Sequence, residues 1–147
     1  ASVRLQNNKE VVLTAVSQNG RALAYASKRL QNNKEVVFAA CGQSEHSFSF
    51  ASLELRSDRE FIKELKISDL VIFKYCRFST RRHEDIYLPA LKKDATLCKR
   101  FSPGALLKMD FSSLPKENRK VIFKSFKTRT QETDLFVLAI AKKNILG

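Results

Sequence analysis

The sequence has no tryptophan, one methionine, two histidines, three cysteines, three prolines and four glycines in 147 residues. Each shortage excludes something. Scarce glycine and proline, with no sustained apolar–polar alternation, argue against a fold of strands and tight turns. Cys41, Cys76 and Cys98 are odd in number and form no CxxC pair, which argues against a disulfide framework or a zinc site. No apolar run approaches the roughly 18 residues that a membrane-crossing helix needs. No secretory signal peptide opens the chain. Phosphate loops of the GxxxxGK(S/T) type, GxSxG elbows and GxGxxG turns are all missing. Neither His46 nor His83 has a cysteine or carboxylate at the spacing of a metal pair or a triad. His83-Glu84-Asp85 is a polar cluster, but adjacent residues on a helix do not face one site. The expectation is a protein that is not an enzyme, with no cofactor, no metal and no catalytic residue.

What is present is a repeat. Arg4-Leu5-Gln6-Asn7-Asn8-Lys9-Glu10-Val11-Val12 returns as Arg29-Leu30-Gln31-Asn32-Asn33-Lys34-Glu35-Val36-Val37, an offset of 25 residues. A fixed period in this range marks a repeat architecture. Carried along the chain, the offset takes Leu23 to Phe48, Phe73, Cys98 and Phe123. It takes Ala26 to Ala51, Cys76, Phe101 and Phe126, and Val11 to Val36, Phe61, Ile86, Phe111 and Phe136. Apolar character persists down these columns. The chain reads as a single helical-repeat domain over residues 1–147, about five and a half units long. It opens and closes inside a repeat, so it is expected to be a fragment of a longer chain.

Residues 7–31 serve as the pattern of one unit. Val11, Val12, Ala15 and Val16 have helical spacing, which predicts a short amphipathic helix over 8–19. Asn7 with Glu10 predicts a capping box, repeated by Asn32 with Glu35 and by Ser57 with Glu60. Asn19-Gly20 predicts a stop in which the glycine adopts the left-handed conformation. Ala22, Leu23, Ala26 and Leu30 predict a second helix over 21–30. The unit is then a hairpin of two short helices, too short to be stable alone. The predicted fold class is all-α, an α-solenoid of stacked hairpins with a 25-residue period. Leu23, Phe48, Phe73 and Phe123 are predicted to be buried in one continuous core. The cysteines replace apolar residues in these columns and read as buried structural thiols of a reducing, cytoplasmic compartment.

Later units are less regular. Pro89 is expected to sit near a first turn or to shorten its helix. Ser112-Ser113-Leu114-Pro115 interrupts the fifth unit. A helix follows over 116–126, then a polar loop over 128–133, then a helix over 134–143.

Asn8-Lys9-Glu10-Val11-Val12-Leu13, Ala15-Val16, Gln18-Asn19-Gly20, Ala22-Leu23 and Tyr25-Ala26-Ser27 resemble a bacterial family of short tandem repeats, a domain of unknown function. The likeness covers residues 1–53 well and 54–103 by register. Such repeats are similar to domains in large proteins of intracellular bacteria that live in amoebae, secreted effectors among them. The resemblance implies an accessory or recognition module, translocated into a host cell in the effector case. It supplies no catalytic residue.

Charge is the remaining signal. Twenty-seven basic against 15 acidic residues give a net charge of +12, which favours an acidic partner. Lys74, Lys99 and Lys124 share one column of the repeat, and Arg77 and Lys127 share another, with Arg100 beside them. In a stack, a column becomes a row, so these six residues are expected to line a basic stripe. The leading expectation is a scaffold for an unknown protein partner. As a surface, the stripe suits phosphates or an acidic protein; the alternative to the scaffold is a polyanion-binding module, for nucleic acid or anionic phospholipid headgroups, that uses the stripe on the second helices of units three to five.

Overall fold

The computed structural model describes residues 2–130 and 135–147. Among the described residues every regular element is helical: eleven α-helices, four 3-10 helices and no strand. Contacts divide the chain into two compact units, Ala1–His83 and Glu84–Gly147.

The N-terminal unit opens with the α-helices Val3–Gln6 and Lys9–Gln18, the 3-10 helix Gly20–Tyr25 and the one-turn α-helix Lys28–Gln31. Lys34–Gln43 and the 3-10 helix Glu45–Phe50 follow in the same order and lengths. The predicted second helix over 21–30 is therefore two pieces. Ala26 is extended, at φ −69° and ψ 155°, and the Ser27 hydroxyl caps a new turn by accepting from the Leu30 N–H. The N-caps lie one residue later than expected. Asn8 accepts from the N–H groups of Glu10 and Val11, Asn33 from Val36, and Asp58 from Phe61. Asn7 instead closes the preceding helix and takes hydrogen bonds from the Ser27 hydroxyl and Arg29.

Gly20 does not adopt a left-handed conformation; among the described glycines only Gly147 has positive φ. Its task is close approach. A Cβ there would collide with the Ala40 carbonyl and stand 2.7 Å from Ser47 Oγ. Backbone bonds tie each helical group to the one before it: Ser27 N–H to Gln6 O at 2.9 Å, Ser52 to Gln31 at 2.9 Å, and Arg77 to Arg56 at 3.1 Å. Leu23, Phe48 and Phe73 are fully buried, as are Leu30, Val36, Val37 and Ala40. Full burial of such side chains contributes about 1.5–3 kcal/mol each.

The C-terminal unit contains Glu84–Lys93, the 3-10 helix Ala95–Arg100, the short helix Pro103–Leu106, and the longer helices Lys116–Thr130 and Leu135–Leu146. Pro89 lies inside Glu84–Lys93 without shortening it: the helix keeps the ten-residue length of Lys9–Gln18. Tyr87 anchors this core, edge-on to Phe101 at 6.2 Å and to Phe111 at 6.1 Å, and its hydroxyl donates to Asp110 O at 3.2 Å.

The expected loop over 128–133 is corrected for 128–130, which continue the helix Lys116–Thr130; residues 131–133 lie outside the described residues. Thr128 and Thr130 fold their hydroxyls back onto the carbonyls of Lys124 and Phe126, a bond that satisfies threonine inside a helix. Phe123 is a second correction. It is half-buried, while Ile122 and Phe126 take the core positions. A continuous α-helix steps at 3.6 residues, so its inward face falls one residue away from the column that Leu23, Phe48 and Phe73 occupy.

Candidate functional site

The six basic residues fall in both compact units. Lys74 closes the helix Asp69–Tyr75, and Arg77 is the N-cap of Phe78–Arg81. Both are exposed, and the Lys74 ammonium sits over the Tyr75 ring at 5.2 Å. Lys99, Arg100, Lys124 and Lys127 are exposed in the C-terminal unit. There the fold brings three of them together. Lys99 and Lys124 line a cavity of about 240 Å³ with Thr96, Thr128 and Arg129. Lys124 also lines a groove of about 340 Å³ with Lys120, Phe123, Lys127 and Leu146. Arg100 lines neither.

This arrangement is a set of ammonium groups with hydroxyls between them and an apolar floor. Lys120 is engaged with Glu117 at 3.1 Å. Lys99, Lys124 and Lys127 have no acidic partner among the described residues. Free ammonium groups attract phosphate or carboxylate, with a strength that salt screens. In the N-terminal unit two lysines are already used: Lys9 pairs with Glu35, and Lys34 pairs with Asp58 at 2.7 Å. The bond to Lys34, then that to the Phe61 N–H, holds the Asp58 carboxyl below its ordinary range.

The remaining titratable groups do not converge. His46 is exposed and stands edge-on to Tyr75 at 6.3 Å, and His83 is exposed. All three cysteines are free and buried. Burial pushes the Cys41 thiol up to about 12 and raises those of Cys76 and Cys98. A thiol held neutral is a poor nucleophile and a poor metal ligand. Among the described residues no group of three or more His, Cys, Asp or Glu side chains could hold a metal ion. No described helix is long and apolar enough to cross a membrane.

One set of residues escaped the sequence reading. Side chains cap carbonyls at the ends of neighbouring helices, most of them in the helix before and one, Tyr75 O, in the helix after. Gln31 donates to Leu23 O at 3.1 Å and Ala24 O at 3.3 Å. Arg56 donates to Ala51 O at 3.0 Å and Tyr75 O at 3.1 Å. Arg81 donates to Phe73 O at 2.8 Å and to Lys74 O and Cys76 O at 3.3 Å. Gln31, Arg56 and Arg81 stand in one column of the sequence repeat, which was the available signal. The next member, Leu106, is buried and apolar. Arg129 supplies the bonds there instead, to Cys98 O and Phe101 O.

A family model described as a domain of unknown function (DUF4116) matches residues 1–31, 8–56 and 33–81. Together the overlapping matches span residues 1–81, more than half of the chain. No curated protein and no solved structure matches it.

Proposed function

Given that this chain belongs to the DUF4116 family, a domain of unknown function, we propose that it is a non-enzymatic helical-repeat scaffold for protein–protein interaction. The fold that goes with this reading is an α-solenoid of stacked short hairpins with a 25-residue period. The observation that carries it is the backbone bond from Ser27, Ser52 and Arg77 to Gln6, Gln31 and Arg56, made in the same register at three successive steps within residues 1–83. Stacked repeats bury their cores against one another and offer extended surfaces to partners. The overlapping family matches, two of which start 25 residues apart, add to the support. We place the chain in a reducing, cytoplasmic setting, because its three thiols are free and buried. An accessory domain of a bacterial protein delivered into an amoebal or other host cell is the biological setting we favour.

Removing residues 33–57, one full period, should leave a helical protein that still unfolds cooperatively. Removing 33–52 should not, because the junction then falls out of register. Equal damage from both deletions would end the stacked-repeat reading. A second reading, polyanion binding, is favoured by the convergence of Lys99, Lys124 and Lys127. Pull-down with and without nuclease separates the two, since only a nucleic-acid-mediated capture is lost on digestion.

A further inference from the structure

The first repeat leaves open a surface that the second repeat has covered. Leu5, Val11, Ala15, Ala22 and Tyr25 line a groove of about 420 Å³ whose walls are almost wholly apolar. Val11 is 41% and Tyr25 73% exposed. Of their counterparts 25 residues on, Leu30, Val36, Ala40 and Ser47 are each 0% exposed, and Phe50, which answers to Tyr25, is half-buried. The hydrogen-bonding edge shows the same contrast. Ser27 gives its N–H to Gln6 O and its hydroxyl to Asn7 Oδ1, and Ser52 does likewise to Gln31 and Asn32. Ser2, their counterpart, has neither acceptor among the described residues. Glu35 takes Lys9 as its ion-pair partner. Glu10, the counterpart of Glu35, has no basic partner among the described residues.

We propose that this groove is a docking surface for one further helical repeat of the same DUF4116 type. The proposal rests on the stacked-repeat reading. The chemistry of the occupant follows from the interface one step along. It carries glycine at its bend, because Gly20 is what lets the chain lie on the Ala40 carbonyl and Ser47; the counterparts here are Ala15 and Ala22. It offers a backbone carbonyl to the Ser2 N–H and an asparagine oxygen to the Ser2 hydroxyl. It presents a lysine to Glu10. Apolar residues then cover Val11 and part of Tyr25, as Val36 is covered and Phe50 half-covered one step along. A generic amphipathic helix meets the last condition and not the first three.

The test fuses a second copy of residues 1–25 directly ahead of Ala1. Val11→Cys is placed at the original position, and its thiol is labelled in the native protein. Unfused, that thiol is accessible and reacts fast, above a background of three buried ones. Fused, its labelling rate should fall by roughly a hundredfold, because a buried thiol reacts only through local opening. Gly20→Leu within the added copy should restore fast labelling while the rest of the helical signal stays. A fused chain that labels as fast as the unfused one overturns the proposal, whether the added repeat stays unfolded or folds without docking. Labelling of the unfused chain that slows with protein concentration also overturns it, by making a second copy the occupant. Val36→Cys in the unfused chain keeps the two readings apart. Fast labelling there would mean that the stacked-repeat reading itself had failed.

Discussion

At the scale of single residues, the buried thiols tie stability to pH. Cys41 is 4% exposed, and its thiol stays neutral up to about 12. In the unfolded chain a thiol ionises near 8.5. The folded pKa is raised, so the contribution is fully present below about 8.5 and is lost as pH rises towards 12. In that window the unfolded state sheds a proton that the folded state keeps, costing about 1.4 kcal/mol per pH unit. Cys76 and Cys98 shift the same way. Urea unfolding should therefore show stability falling above about pH 9, and Cys41→Val, which matches Val16 in the same column, should flatten the fall. A slope unchanged by that substitution would mean that Cys41 ionises in the native state. Arg81 supplies a second test. Its guanidinium donates to three carbonyls and lies 5.1 Å from the Phe73 ring centre. Hydrogen bonds from charged groups contribute about 1.5–3 kcal/mol, so Arg81→Ala should cost that much. Arg81→Lys should recover less than half, because an ammonium cannot reproduce the planar fork. Full recovery by lysine would make the residue a charge and not a cap.

At the scale of elements, the amphipathic helices were legible and the 3-10 helices were not. Val11, Val12, Ala15 and Val16 declare a 3.6-residue period, and Lys9–Gln18 forms as that spacing requires. The following segment was read with the same period, yet its buried residues, Gly20, Leu23 and Ala26, step by three. So do Ala95, Cys98 and Phe101 in the C-terminal unit. That is the period of a 3-10 helix; over six residues it is hard to tell from 3.6. Longer range effects were out of reach. Nothing local in Asn19-Gly20 says that the glycine is needed for contact with Ala40. The same contact yields a paired prediction. Gly20→Ala should destabilise by about 1–3 kcal/mol, because backbone and not a flexible side chain meets the new methyl. Gly42, inside Lys34–Gln43, has open space around its missing Cβ. Gly42→Ala should stabilise by about 0.5–1 kcal/mol through helix propensity. Thermal melts of the two variants should move in opposite directions. Destabilisation by both would mean that backbone flexibility, not contact, sets the need for glycine.

At the scale of the whole molecule, charge is the dominant property, and its placement decides whether it acts as a site or as a diffuse field. A net charge of +12 attracts any polyanion, so binding alone shows little. Six basic residues lie in or beside two columns of the repeat, and the C-terminal unit brings Lys99, Lys124 and Lys127 onto adjoining cavities. The difference between field and site lies in the salt dependence. Each phosphate neutralised contributes about 0.7–0.9 to the slope of log affinity against log salt. Reversal of Lys99, Lys124 and Lys127 to Glu should therefore lower the slope for heparin or single-stranded RNA by roughly 2–3. It should leave the helical signal intact, since exposed substitutions seldom cost more than about 0.5 kcal/mol. Lys108, Lys142 and Lys143 are exposed in the same unit and line neither cavity. Their reversal removes the same charge and serves as the control. Lys9 and Lys34 would not serve, because their ion pairs with Glu35 and Asp58 would be broken too. Reversal of Lys74 with Arg77 asks the question separately of the N-terminal unit. A larger loss for Lys99, Lys124 and Lys127 than for the control identifies a site. Equal losses reduce the attraction to net charge, and the polyanion reading is then left without a site.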